Sequence, residues 1–303
     1  MDWLRLLGKT ASAVAGLAGI ALALVYFLQE KILYVPRLPG VSNEYPHLPD
    51  AFQLRYEDVW LTTSDGLRLH AWLMSAPELS EQQRRAAPTV IFCQENAGNM
   101  AWRLHFIKRL CYHLRCNAFI FSYRGYGRSQ GTPSEQGLQL DVECAVDYVL
   151  GRADLNAQRI VLFGRSLGGA VAAHAAARRR PQVSGLVLEN TFTRIVDLVP
   201  HKLPLLKPLV GPGKLCNFLV RNHWDTKARL QQLKDLPILF LSSLRDTMLP
   251  PSQMLELYAL HPAAPWSMKF FDDGQHLDTY ETDAAQYWPA VQQFVDHLPA
   301  PEE

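Results

Sequence analysis

Ser166 stands at the centre of Gly164-Arg165-Ser166-Leu167-Gly168-Gly169, between the apolar run Ile160–Phe163 and an alanine-rich segment ending near Ala177. A short β-branched run reads as a buried parallel strand, and the alanine-rich segment has strong helix propensity. Strand, G-x-S-x-G and helix in that order form a nucleophile elbow, a tight turn that lifts a serine hydroxyl to a helix N-terminus. Side chains at Gly164 and Gly168 would collide with the strand and helix packed around such a turn. There the main-chain N–H of Leu167 can stabilise negative charge.

A serine hydroxyl is a weak nucleophile at neutral pH and needs a base, itself oriented by a third group. On a sheet entered through such an elbow, the acid follows a later strand and the histidine lies near the C-terminus. Asp246, in Leu244-Arg245-Asp246-Thr247, follows the strand Ile238–Leu241 and is the expected acid; Glu189, at the end of the preceding strand, is its rival. His276, in Asp273-Gly274-Gln275-His276-Leu277-Asp278, lies on a loop after the strand Met268–Phe271 and is the expected base. His174, on the alanine-rich helix, reads as a packed or capping residue, and His261 and His297 as surface residues. A second oxyanion donor should come from the loop after the strand Thr89–Cys93, with Asn96 first and Glu95 next. A carboxylate at Glu95 would oppose a developing oxyanion unless its side chain turned away.

These residues need a sheet to hold them. Leu54–Thr62 and Leu67–Met74 alternate apolar and polar residues across an Asp65-Gly66 turn, so a leading antiparallel hairpin is predicted. Strands at Thr89–Cys93, Asn117–Ser122, Ile160–Phe163, Val183–Glu189, Pro237–Ser242 and Met268–Phe271 then alternate with helices. That order predicts one doubly wound, mostly parallel α/β sheet over residues 51–303. Thr193–Asn222 breaks the alternation with an apolar, proline-broken stretch, read as a cap insertion (about residues 193–222) offering greasy surface to a substrate.

Ahead of the domain, Ala11–Leu28 carries no charge and would span roughly 27 Å as a helix. Residues 1–30 are therefore expected to be a single-pass transmembrane anchor; the competing reading is a signal peptide cut near Ala21-Leu22-Ala23. Residues 31–50, with the prolines of Val35–Asp50, read as an extended connector.

The composition narrows the partners. With 48% hydrophobic and 19% charged residues and a net charge of +1, the chain offers no electrostatic case for nucleic acid. Five scattered cysteines form no C-x-x-C pair, and the chain shows no dinucleotide fingerprint or P-loop, so no cofactor and no metal is expected.

Gln94–Asn99 (QENAGN), Ser122–Gly127 (SYRGYG), Phe163–Ala170 (FGRSLGGA), Leu188–Phe192 (LENTF) and Gly274–Thr279 (GQHLDT), with Tyr34–Gly40 (YVPRLPG), resemble the bud-emergence-type, single-pass α/β-hydrolase-domain proteins, above all their plant wavy-growth branch. The resemblance implies the α/β-hydrolase fold and a membrane-tethered serine hydrolase with Ser166, Asp246 and His276 as its triad. It also implies residence in the endoplasmic reticulum or plasma membrane. Where the wider group has His-Gly, this chain has Gln94-Glu95, as the plant branch does. The expected reaction is cleavage of an ester or thioester in a small acyl molecule, an acyl lipid or an S-acylated protein. The alternative is a catalytically silent membrane-anchored scaffold, with Glu95 as its support.

Overall fold

The computed structural model describes residues 2–262 and 265–299, except for several side chains of the first helix. Helix α1 (Asp2–Leu33) is followed by the hairpin β1 (Arg55–Thr62) and β2 (Arg68–Ser75), then α2 (Glu81–Ala86) and β3 (Thr89–Cys93). Next come α3 (Leu104–Leu114), β4 (Asn117–Phe121), α4 (Glu135–Leu150), β5 (Ile160–Arg165), α5 (Leu167–Arg178) and β6 (Gly185–Glu189). Helices α6 (Ile195–Lys202) and α7 (Thr226–Leu230) precede β7 (Ile238–Ser243), and α8 (Pro251–Tyr258), β8 (Trp266–Phe271), α9 (Thr279–Thr282) and α10 (Ala284–Asp296) complete the order.

The eight strands form one sheet in the order β1-β2-β4-β3-β5-β6-β7-β8. β2 pairs antiparallel with both β1 and β4, and every later pairing is parallel. The five strands β3 to β7 are buried along their whole length, as a sheet covered by helices on both faces requires. One face carries α4, α5 and α8 through residues such as Leu138, Val142, Val171 and Leu257. The other carries α3 and α10 through Phe106, Leu110, Trp288 and Val291. Parallel strands end on one edge, so the loops after β3, β5, β6, β7 and β8 meet there, where ligands bind in open α/β sheets.

The N-terminal segments depart from the expected boundaries. α1 runs on to Leu33, and the chain then docks: the buried Tyr34 hydroxyl donates to Asn222 Oδ1 (2.8 Å) and accepts from Trp224 Nε1 (2.9 Å). Val35 donates to the carbonyl of Asn96 at 3.0 Å. The start of the expected connector is therefore part of the packed domain, because it offers Tyr34, an aromatic body with a polar tip, to a site that satisfies both. Counted over the described residues alone, no helix is long and apolar enough to cross a membrane. The uncharged run Ala11–Leu28 includes side chains outside that description, so the expected transmembrane span stands on the sequence and is not met by the described part of α1.

Candidate active site

The turn between β5 and α5 forces Ser166 to φ 55° and ψ −123°, a conformation that L-residues rarely adopt. The surrounding structure pins it there. Ser166 donates its N–H to the carbonyl of Glu189, and its own carbonyl accepts from Thr191 Oγ1 at 2.7 Å. Gly164 and Gly168 are required by contact: a Cβ at Gly164 would lie 2.2 Å from the Gly168 carbonyl oxygen, and one at Gly168 would lie 1.9 Å from that of Cys93. Gly168→Ala is accordingly expected to push α5 away from the end of β3. A loss of about 3 kcal/mol or more in urea unfolding, with loss of any activity at Ser166, is the expected result.

Three of the expected residues converge. His276 Nε2 lies 2.9 Å from Ser166 Oγ, and His276 Nδ1 lies 2.6 Å from Asp246 Oδ2. The other carboxylate oxygen of Asp246 accepts from the N–H groups of Met248 (2.7 Å) and Leu249 (2.9 Å), which locks the carboxylate in place. With Nδ1–H donating to Asp246, Nε2 is left as the lone-pair nitrogen facing the serine hydroxyl. All three residues are buried, with 5% to 8% of their surface exposed, so the charges that would form on reaction are weakly screened.

The loops that present them are tied together by residues to which the sequence pattern assigns no role. Asn190, at φ 45° beyond β6, donates through Nδ2 to Ser243 Oγ (2.9 Å) and to the His276 carbonyl (3.1 Å), while its Oδ1 accepts from Ser243 N–H. It bridges the ends of β6 and β7 and the histidine loop. The signal for it is an asparagine directly after a buried strand, in the left-handed region that asparagine tolerates.

Leu167 and Asn96, the expected oxyanion donors, both border the cavity that holds Ser166 and His276. As the first residue of α5, Leu167 has an N–H with no intrahelical partner. The Asn96 side-chain amide donates to the Leu33 carbonyl (2.9 Å), and the main-chain carbonyl of Asn96 accepts from Tyr126 Oη (2.8 Å). Its main-chain N–H has no hydrogen-bond partner among the described residues. The first turn after β3 is thus held from α1 and from the loop after β4.

Glu95 and Glu189 share another task. Arg165, the residue before the serine, is buried and donates from Nε to Glu189 Oε2 (2.8 Å) and from Nη1 to Glu95 Oε1 (3.1 Å). Arg103 pairs with the other Glu95 oxygen, and Tyr287 Oη donates to Glu189 Oε2 at 2.8 Å. Two guanidinium groups and two carboxylates leave no net charge. Burial works against ionisation of Glu95, but the charges of Arg103 and Arg165 outweigh it and hold its carboxyl below the ordinary range. Glu189 has a single arginine, and burial prevails, so its carboxyl is pushed up. The Glu95 carboxylate is engaged by these arginines, and Glu189, the rival acid, is likewise committed to Arg165.

The cavity over Ser166 has a volume of about 400 Å³ and mostly apolar walls. Its far side comes from the segment between β6 and β7, through Ile195, Leu198, Leu206 and Val220. The near wall is α1: Leu22, Tyr26, Gln29 and Leu33 all face the cavity at helical spacing. The segment over the site has its own small core of Val196, Val210 and Val220. Tertiary packing alone brings α1 into this wall.

Comparisons with known proteins agree with this architecture. The family described as alpha/beta hydrolase fold matches residues 88–215. The chain is 45% identical to the alpha/beta hydrolase domain-containing protein WAV2 of Arabidopsis thaliana, over 94% of this chain and 92% of that protein. It is 35% identical to bem46 of Schizosaccharomyces pombe (91% and 88%) and 32% identical to the uncharacterized membrane protein YNL320W of Saccharomyces cerevisiae (93% and 94%). Among solved structures, a Pyrococcus furiosus esterase, Pf2001, superposes with a TM-score of 0.67 at 19% identity over 88% of this chain and 97% of that one, a likeness of fold. Identity to WAV2 and bem46 along almost the whole chain, on the eight-stranded frame just described, places the protein in the Bem46/WAV2 family of α/β-hydrolase-domain proteins.

Proposed function

We propose that the protein is a membrane-anchored serine hydrolase that cleaves an ester or thioester of a long acyl chain. The observation that carries the reading is the buried relay from Asp246 through His276 to Ser166 at the floor of an apolar cavity. In the first step Ser166 Oγ attacks the acyl carbonyl carbon while His276 Nε2 takes its proton. Asp246 holds the ring in the tautomer with Nδ1 protonated and offsets the imidazolium charge. The main-chain N–H groups of Leu167 and Asn96 bind the oxygen on which negative charge develops. Collapse of the tetrahedral intermediate breaks the carbonyl carbon's bond to the leaving oxygen or sulfur, which takes the proton from His276. Water, deprotonated by the same nitrogen, then releases the acid and regenerates Ser166.

The cavity supports an acyl substrate class because its walls offer many apolar contacts and few polar ones to orient anything else. From Leu22 to Leu33, α1 follows it for roughly 16 Å at 1.5 Å per residue, room for an extended chain. The membrane reading of α1 is supported by the uncharged run Ala11–Leu28 and by exposed apolar side chains, Leu24, Phe27 and Ile32 among them. A relative named as a membrane protein adds to it. On this reading, the segment from Thr193 to Asn222 is a cap that closes over an acyl chain drawn from the bilayer beside α1. The catalytically silent scaffold drew its support from Glu95, whose carboxylate is occupied by Arg103 and Arg165.

Full-length protein treated with a fluorophosphonate is expected to carry one adduct, at Ser166, by peptide mass spectrometry. Ser166→Ala should abolish it. Absence of labelling in folded wild-type protein, or equal labelling of the alanine variant, removes the hydrolase reading.

A further inference from the structure

The outer surface of the segment over the cavity is unlike the rest of the domain. Leu205 and Leu215 are each 93% exposed and Phe218 is 76% exposed. Three large apolar side chains within residues 205–218 thus stand in solvent on one short segment. Between Asp197 and Asp225 the chain carries Lys202, Lys207, Lys214 and Arg221 and no acidic residue. The whole chain has 30 basic and 29 acidic residues, so the remainder is left with 26 against 29. Net positive charge and the most exposed apolar side chains among the described residues therefore coincide on this segment. That surface is also joined to α1: Gln29 Nε2 donates to the Leu219 carbonyl (3.1 Å), Arg221 N–H donates to Gln29 Oε1 (2.6 Å), and Arg221 pairs with Glu30 at 3.3 Å.

We propose that this face is a docking surface for an anionic lipid bilayer, with Leu205, Leu215 and Phe218 entering the headgroup boundary and Lys207 and Lys214 meeting the lipid phosphates and carboxylates. Apolar insertion flanked by lysines is the chemistry of interfacial membrane binding. The contacts of Gln29 and Arg221 hold this face beside the last turns of α1, so a bilayer that receives α1 meets the face at once. The proposal rests on the membrane reading of α1 and is independent of the hydrolase reading.

The test uses full-length protein in lipid nanodiscs of phosphatidylcholine alone or with phosphatidylserine. Cys144→Ser and Cys216→Ser remove the two partly exposed thiols, since the other three cysteines are buried. Single cysteines are then introduced as Leu205→Cys, Leu215→Cys or, on α2 at the opposite edge of the sheet, Gln82→Cys, and labelled with a fluorophore. Nitroxide-bearing lipid is expected to quench the labels at 205 and 215 at least threefold more than the label at 82 in anionic discs. Lys207→Glu with Lys214→Glu, or high salt, should bring that excess down towards the level in neutral discs. Labels at 205 and 215 that stay as unquenched as the one at 82, on protein retained by the disc, overturn the docking while leaving the anchor in place. Protein that the discs fail to retain overturns the anchor and the docking together. Fluorophosphonate labelling of Ser166 in the same samples reports separately on the hydrolase.

Discussion

Ser166→Ala is expected to lower kcat on a soluble acyl ester by about 10⁵- to 10⁶-fold while leaving the fold intact. The hydroxyl's hydrogen bond among the described residues is to His276, so its removal orphans no other buried group. Asp246→Asn should cost about 10⁴-fold, because an amide facing Nδ1 favours the wrong imidazole tautomer. The two losses should not add, since a triad acts as a unit: with Ser166 gone, the orientation of His276 has nothing left to serve. The measurement is steady-state turnover of the single and double variants, with unfolding curves to show that each is folded. A Ser166→Ala protein that keeps more than a per cent of wild-type turnover would mean the chemistry lies elsewhere.

Arg165→Met should destabilise the protein by about 3–5 kcal/mol. The arginine is fully enclosed, and its guanidinium lies 4.2 Å from the centre of the Phe106 ring as well as against two carboxylates. Removing it strands Glu189 with Tyr287 as its remaining partner and halves the positive charge around Glu95. Arg165→Lys should recover little, because an ammonium cannot serve both carboxylates with the planar fork. Arg165→Met combined with Glu189→Gln should recover part of the loss, since Glu95 and Arg103 remain as a balanced pair. Urea unfolding checks all three; an Arg165→Met protein within 1 kcal/mol of wild type would show that the buried quartet contributes little. Arg165 precedes Ser166 and Glu95 precedes Asn96, so loss of the quartet should also loosen the elbow and the turn after β3 at once.

Much of this was legible from local pattern. The elbow reads directly because strand, glycine-spaced turn and helix are contiguous, and each glycine answers a steric demand a few residues away. The leading hairpin follows from period-two alternation across its turn, and the later strands, with Asp246 and His276 on loops after two of them, from short apolar runs and their punctuation. Where the signal depends on distant partners, the pattern says less. Glu95 reads as a threat to an oxyanion because the sequence cannot show that Arg103 and Arg165 face it. Asn190 has no local signature beyond its place after a strand, yet it joins the ends of β6 and β7 to the histidine loop.

By itself, then, the sequence determined the order of strands and helices and the elbow that carries Ser166, since these are written in contiguous stretches whose physics is short-range. Tertiary structure alone decided that Glu189 serves Arg165 while Asp246 meets His276, and that α1 forms a wall of the cavity with Leu22 and Tyr26. The reason is one of distance along the chain. A carboxylate's partner and a helix's neighbour are chosen by which loops converge at the ends of the parallel strands, and that convergence exists only once the sheet has closed around its core.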